Sequence, residues 1–255
     1  MTEEVFTPAT EQRVQELSQR LDAVRARITR ATADAGRDTE PELIVVTKFF
    51  PASDVVALHS LGVMDVGENR EQEAGPKAIE AALHGAHPRW HFIGQLQSNK
   101  AARVLRFASE VHSVDRAGLV TALAKAAQRR FDTEPATAPT GIYLQVDLRG
   151  EASASEDPNA PRGGARPERL AELAGLVAES GRLRLRGLMA VAPLGEDPRP
   201  AFERLAGLSE RLRRDHPDAR ELSAGMSGDL EAAVGAGATR LRIGSDVLGR
   251  RSSLL

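Results

Sequence analysis

The chain alternates short apolar runs with helical patterns from residue 43 almost to its end. Eight runs have the length and β-branched content of buried strands, at 43–48, 64–67, 90–93, 110–113, 141–147, 185–191, 221–223 and 239–243. Helical patterns separate them, near 53–61, 71–83, 100–108, 116–131, 167–180, 200–216 and 229–235. This alternation predicts an α/β fold of parallel βαβ units, and eight of these can close into a single (β/α)8 TIM barrel. A doubly wound open sheet is the alternative, but no Gly-x-Gly-x-x-Gly fingerprint follows the first strand, which favours the barrel.

An extra amphipathic helix precedes the first strand. Apolar residues recur every three or four positions within 10–35, and Gly36 is a typical helix stop. The stripe consists of Val14, Leu17, Leu21, Val24, Ile28 and Ala31. We expect it to cover the core, with binding of a partner helix as the alternative. The predicted organisation is a flexible N-terminus at 1–9 and one barrel domain at 10–255, whose N-terminal helix occupies 10–36.

Residues 150–166 interrupt the alternation. They are rich in Gly, Ala, Ser, Pro and charge and have no apolar period, which predicts a mobile loop after the fifth strand. In a barrel this loop lies at the rim where sites are built, as a lid or as a simple solvent loop.

Composition excludes several classes of function. The 255 residues carry a net charge of −2, so no general nucleic-acid or membrane surface is expected. Cysteine is absent, which excludes disulfides, thiolate catalysis and cysteine-based zinc sites. With neither a signal peptide nor a long apolar segment, we expect a cytoplasmic protein. Aromatic residues make up only 4%, so no dimer patch stands out, and we expect a monomer or weak dimer.

Lys48 ends the first apolar run. Burial disfavours the charged form of a lysine, and a neutral lysine is a nucleophile that forms Schiff bases with carbonyls. A lysine that reaches out to solvent from a strand end is the alternative.

The loops after the seventh and eighth strands are rich in small residues. Ser227 and Gly228 precede a helical stretch, and Gly244 and Ser245 follow the last strand. In such barrels these two loops are a recurrent phosphate site. For Ser227 the alternative is an ordinary helix cap.

Arg242 alternates with apolar neighbours in the last strand and is expected to point into the barrel. An unprotonated ring nitrogen would be a suitable acceptor for its guanidinium, and an ion pair with a carboxylate such as Glu68 is the alternative.

Six segments together resemble the pyridoxal phosphate homeostasis protein family, also called the YggS or PROSC family. They are Val46-Thr47-Lys48, Gly67-Glu68-Asn69, the run from Trp90 to Lys100, Arg186-Gly187-Leu188-Met189, Gly225-Met226-Ser227-Gly228-Asp229 and Arg242-Ile243-Gly244-Ser245. The family is similar to the barrel domain of fold-type III enzymes such as alanine racemase, and the resemblance spans roughly residues 43–250.

The resemblance implies that the chain binds pyridoxal 5′-phosphate (PLP), with Lys48 as the Schiff-base lysine. It implies phosphate contacts from Ser227, Gly244 and Ser245, with the backbone N–H groups of Met226 and Ser227 helping, Arg242 opposite the pyridine nitrogen and Asn69 near the cofactor. Two departures stand out: Phe50 and Arg70 stand where many relatives have a lysine and a tyrosine.

The resemblance further implies a role in PLP homeostasis, as buffering or delivery, rather than catalysis. A racemase needs an acid/base group on each face of the substrate. We expect no second domain to supply one, and Tyr143, the only tyrosine, is not expected to reach the rim. The expected partners are PLP, other B6 vitamers and PLP-dependent client enzymes. A single-domain amino-acid racemase is the alternative, and an interaction protein using the N-terminal stripe is a third hypothesis.

His91 is the best alternative acid/base residue, although a hydrogen-bonded core histidine is the more ordinary interpretation. The other histidines, at 59, 84, 87, 112 and 216, show no ligand spacing, so no metal site is expected.

Overall fold

A computed structural model describes residues 6–149 and 163–249 as a closed barrel of eight parallel strands in sequence order. The strands are β1 Glu42–Val46, β2 Asp65–Glu68, β3 Arg89–Phe92, β4 Ala108–Val114, β5 Thr140–Gln145, β6 Leu183–Met189, β7 Glu221–Ser223 and β8 Arg240–Ile243. Pairing of β8 with β1, from Glu42 opposite Arg240 to Val45 opposite Ile243, closes the barrel. The predicted (β/α)8 barrel is therefore confirmed, and the open-sheet alternative is wrong.

The α-helices cover the outside of this barrel. They are α1 Glu11–Asp34, α2 Ala52–Ser60, α3 Glu71–Leu83, α4 Ala101–Val104, α5 Ala117–Thr133, α6 Leu170–Glu179, α7 Pro198–Asp215, α8 Leu230–Gly235 and α9 Ser245–Leu248. None of the described helices combines the length and the hydropathy needed to cross a membrane.

Helix α1 lies against the core, as its apolar stripe predicts. Thr10 caps its start by accepting a hydrogen bond from the Arg13 backbone N–H at 3.2 Å. The residues of the stripe from Leu17 to Ala31 are buried, and the helix contacts α2, α8 and α9. Arg27 adds an ion pair to Asp246 at 2.6 Å. The stripe is thus occupied by the chain's own core, which removes the basis for the partner-helix alternative.

Most predicted boundaries differ from the structure by one to three residues, and the ends of one helix and one strand illustrate the cause. The fourth helix was expected to reach Ala108, but α4 ends at Val104, because Ala108 pairs with Trp90 and opens β4. The first strand was expected to include Lys48, but β1 ends at Val46 and Lys48 lies in the turn that follows. An apolar period of three or four fits both a short helix and the approach to a strand, so pairing decides the outcome.

The predicted loop at 150–166 and the predicted flexible N-terminus at 1–9 lie partly outside the described residues. Of the loop, 163–166 are described, and Ala165 is buried and hydrogen-bonded to β5 through Gln145 at 2.7 Å. Of the N-terminus, 6–9 are described, and the Phe6 ring stacks on His84 with centroids 3.6 Å apart. The described ends of both segments are therefore packed.

Candidate functional site

A cavity of about 410 Å³ opens at the carboxyl ends of the strands. Its lining consists of Val46, Lys48, Phe50, Ile93, Met226, Ser227, Gly228, Arg242, Gly244, Ser245 and Gly249. Six of the seven residues predicted for cofactor binding are in this set, and Asn69 is not. The barrel brings them together because parallel strands end at the same rim.

The turn that carries Lys48 is held by a buried polar network beneath it. Phe49 has φ 68°, a left-handed conformation that non-glycine residues rarely adopt. Thr47, immediately before Lys48, is fully buried and donates from its hydroxyl to Glu68 Oε1 at 2.7 Å. Lys77 on α3 donates to the Thr47 carbonyl at 2.9 Å and to Glu68 Oε1 at 2.6 Å. Strain persists where the surroundings over-determine it, and this network fixes the position of Lys48.

Sequence reasoning missed Lys77, although a signal was present. Ala74, Lys77, Ala78 and Ala81 follow the spacing of one helix face, and all four are buried. A lysine within an otherwise apolar face must find a carboxylate inside the fold. Its partner here is Glu68, which corrects the suggestion that Glu68 pairs with Arg242.

The anion side of the cavity is built from two adjacent loops. Ser245 donates from its hydroxyl to the Ser227 hydroxyl at 3.1 Å. A Cβ at Gly244 would lie 3.3 Å from the Val46 carbonyl oxygen, so a glycine suits this close approach. The two hydroxyls and the small residues beside them can accommodate a compact anion such as a phosphate.

Two expectations about the seventh loop need correction. The Met226 backbone N–H donates to Asp229 Oδ1 at 2.6 Å, so it already has an acceptor within the chain. Ser227 is not the helix cap, because α8 begins at Leu230 with Asp229 in the capping position.

Arg242 is buried beneath the cavity. Its Nη1 donates to the Ser223 hydroxyl at 2.7 Å and its Nη2 to the Ala190 carbonyl at 2.9 Å. Burial lowers the pKa of the Arg242 guanidinium to about 10, which leaves it protonated at neutral pH. A basic donor in the lining favours an acceptor on a ligand over a second proton donor.

Asn69 lies directly after β2 and is half-buried. Its Oδ1 is buried and has no hydrogen-bond partner among the described residues. A buried polar atom without a hydrogen bond is unfavourable, so Oδ1 of Asn69 is available to accept a hydrogen bond from a ligand or a water molecule. Its backbone also contacts the third-strand loop, where a Cβ at Gly94 would lie 2.1 Å from the Asn69 carbonyl oxygen.

The two positions that depart from the family pattern have clear surroundings. Phe50 lines the cavity, and the Arg13 guanidinium lies over its ring at 5.8 Å. Arg70 lies over the Phe49 ring at 5.1 Å and pairs with Glu73 at 3.1 Å. Arg70 therefore supports the strained turn.

A second group of polar side chains fills the amino-terminal end of the barrel. His91 lies 2.7 Å from Asp65 Oδ1 and 3.0 Å from His112, which confirms it as a hydrogen-bonded core histidine. Tyr143 donates to Glu221 and does not line the cavity, as expected. Burial and the charges of nearby carboxylates raise the pKa of the Tyr143 phenol.

A closed parallel barrel with a lysine, paired hydroxyls and a buried arginine at its carboxyl end defines the class of alanine racemase-like barrels. The family model described as "Alanine racemase, N-terminal domain" matches residues 19–252. A pyridoxal phosphate homeostasis protein of Mycobacterium tuberculosis is 42% identical over 251 residues, covering 94% of each chain. The chain therefore belongs to the pyridoxal phosphate homeostasis protein family.

Solved structures agree with this assignment. PipY of Synechococcus elongatus, solved with PLP bound, is 29% identical with a TM-score of 0.74, and the match covers 91% of this chain and all of PipY. A protein of Bifidobacterium adolescentis is 28% identical with a TM-score of 0.81, and the match covers 95% and 98%. Alanine racemase from Corynebacterium glutamicum, at 13% identity and a TM-score of 0.59, shows the shared fold alone.

Proposed function

We propose that this chain binds pyridoxal 5′-phosphate in the carboxyl-end cavity and acts in PLP homeostasis, by buffering or delivering the cofactor. The main observation in support is that one cavity contains the amine of Lys48, the hydroxyls of Ser227 and Ser245, and the buried guanidinium of Arg242. PLP offers an aldehyde, a phosphate and a ring nitrogen that match these groups. Support comes from PipY, the relative that was solved with PLP bound.

Each lining group has a role in this proposal. Lys48 supplies the amine that holds the aldehyde covalently, with loss of water. Ser227, Gly244 and Ser245 receive the phosphate, and Met226 contributes to the wall. Arg242 donates to the ring nitrogen and keeps it unprotonated.

Asn69 is proposed to complete the site from the second strand. Its Oδ1 is a buried acceptor without a partner among the described residues, so a polar group of the ligand would satisfy it.

The chain contains four lysines, which makes the covalent assignment easy to test. Lys77 is held by Glu68, Lys100 lies 3.7 Å from Glu71, and Lys125 is exposed on α5. Only Lys48 lines the cavity.

The experiment is visible absorbance of the purified full chain with PLP, followed by borohydride reduction and peptide mapping. We expect a visible band and a reduced adduct on Lys48, both lost in Lys48→Ala and kept in the control Lys125→Ala. A wild-type protein that does not bind PLP, or an adduct mapped to another lysine, refutes the proposal.

We also propose that the protein does not racemise amino acids. A two-base reaction needs a second acid/base group opposite the lysine. No histidine, carboxylate or tyrosine lines the cavity in the part of the chain that the structure describes. An unprotonated ring nitrogen also makes the cofactor a weaker electron sink.

Isotope exchange separates this proposal from the racemase alternative. The α-deuterium exchange of the common amino acids is measured with the PLP-loaded protein and with free PLP. We expect no excess exchange with the protein. Excess exchange that disappears in Lys48→Ala supports the enzyme instead.

A further inference from the structure

Three potential ligand atoms converge inside the barrel, on residues that do not line the cavity. They are Nδ1 of His91 on β3 and, on β4, Oε2 of Glu110 and Nε2 of His112. The two histidine side chains are 1% and 0% exposed, and that of Glu110 is 14% exposed. The three residues come from neighbouring strands, so spacing along the sequence does not reveal them.

The distances among these atoms fit a tetrahedral metal site. The two nitrogens are 3.0 Å apart, and they lie 3.3 and 3.8 Å from Glu110 Oε2. Nitrogen and oxygen ligands held tetrahedrally about 2.0–2.1 Å from Zn²⁺ lie roughly 3.3–3.4 Å from one another. The observed triangle is therefore close to the size that such an ion requires.

Both rings are oriented by a hydrogen bond at the opposite nitrogen. His91 Nε2 lies 2.7 Å from Asp65 Oδ1, and His112 Nδ1 lies 2.8 Å from the Ser223 hydroxyl. A metal-ligating histidine almost always has such a partner, which fixes the tautomer and turns the other nitrogen toward the ion. Tyr143 stacks on the His112 ring at 4.0 Å and holds its plane.

The carboxylate is also available. Glu110 Oε2 is buried and has no hydrogen-bond partner among the described residues, whereas Oε1 faces Arg186 at 3.4 Å. An ion would take the place of the proton that now lies between the two imidazoles. Arg186 and Glu221, which form an ion pair beside Glu110, keep 22% and 19% of their side chains exposed.

We propose that His91, Glu110 and His112 form a binding site for a divalent transition metal of the zinc class, with water in the fourth position. Two histidines and one carboxylate leaving one position open is a known zinc ligand set. The ion would tie β3 to β4 at the base of the barrel. The proposal does not depend on PLP binding.

The test is titration of the purified full chain, in chelator-treated buffer, with Zn²⁺ by calorimetry and with Co²⁺ by visible absorption. We expect one equivalent and the intense visible bands of tetrahedral Co²⁺. Glu110→Gln keeps the shape and removes the charge, and it should weaken binding about 100-fold or more. Asp65→Asn should weaken it roughly 10- to 100-fold through His91.

His216→Gln, on a histidine outside the cluster, is the matched control and should bind as the wild type does. Circular dichroism verifies that each variant is folded. Absence of stoichiometric binding by the wild type overturns the proposal, and this measurement needs no variant. Binding that is unchanged in Glu110→Gln also overturns it, since the ion would then lie elsewhere.

Discussion

Replacing Lys77 by methionine tests how the fold holds the proposed PLP-binding lysine. Lys77 and Glu68 form an ion pair at 2.6 Å with side chains only 8% and 0% exposed. Methionine keeps most of the volume, and among the described residues it leaves Glu68 one hydrogen bond, from the Thr47 hydroxyl. Glu68 Oε2 already has no partner among the described residues, so the carboxylate has no other compensation nearby.

The expected loss of unfolding free energy can be bounded. Removing one partner of a buried ion pair destabilises by about 3–5 kcal/mol. The Thr47 carbonyl also loses a donor, worth about 1 kcal/mol. We therefore expect a loss of about 3–5 kcal/mol.

Urea denaturation at pH 7, followed by circular dichroism, measures this loss. Lys125→Met on the exposed face of α5 is the control and should lie within about 0.5 kcal/mol of the wild type. The double variant Lys77→Met/Glu68→Gln removes the charge as well and should recover more than half of the loss. A loss below about 1 kcal/mol refutes the reasoning, because a loss of that size is typical of an exposed ion pair.

Three further predictions follow from single positions. Gly225 has φ +91°, and a Cβ there would lie 2.7 Å from two side chains. Gly225→Ala should therefore lower the free energy of unfolding, measured in urea, by more than about 2 kcal/mol. The control Gly235→Ala, in α8 with open space around it, should cause no such loss. The raised pKa of Tyr143 predicts that its phenol does not ionise while the protein is folded. Absorbance at 295 nm should therefore stay flat as pH rises past 10 and increase only together with unfolding, because the folded state loses stability above the ordinary phenol pKa. A rise in absorbance that precedes unfolding contradicts this prediction. Ser223→Ala removes one hydrogen-bond acceptor from Arg242 and should lower the free energy of unfolding by about 1–3 kcal/mol. It should also shift the visible absorbance band of bound PLP. An unchanged spectrum argues against Arg242 as the partner of the ring nitrogen.

The fold could be predicted from the sequence because each strand and helix of a parallel barrel has a recognisable pattern in its own stretch of sequence. Each strand is an apolar run, each connecting helix has its own period, and α3 and β7 match their predicted ranges. The ends of elements were harder to predict. The end of β1 depends on how Thr47 and Phe49 turn the chain, which is decided by contacts with β2 and α3 rather than by propensity.

The residues of the site divide in the same way. One topological rule places five of the site residues together at the cavity, because each lies at or after the carboxyl end of a strand. They are Lys48, Ser227, Arg242, Gly244 and Ser245. The supporting residues come from distant elements whose packing no local pattern records. Parallel buried strands are normally continuous apolar runs, so two polar residues spaced two apart within such a strand indicate side chains that meet inside the barrel. They occur as His91 after Arg89, His112 after Glu110, Ser223 after Glu221 and Arg242 after Arg240.

The two polar groups of the barrel interior are joined through one hydroxyl. Ser223 Oγ accepts from Arg242, which lines the cavity, and lies 2.8 Å from His112 in the amino-terminal cluster. His112 is fully buried, and burial together with the nearby positive charges of His91 and arginines lowers its pKa well below the usual value, so it is neutral. Its ring can therefore donate to Ser223 or accept from it, depending on which nitrogen carries the proton. An ion on His112 Nε2 would fix that proton on Nδ1, so that Ser223 would accept from both His112 and Arg242. Metal binding would therefore fix the direction of the hydrogen bond between His112 and Ser223, which is otherwise free to reverse.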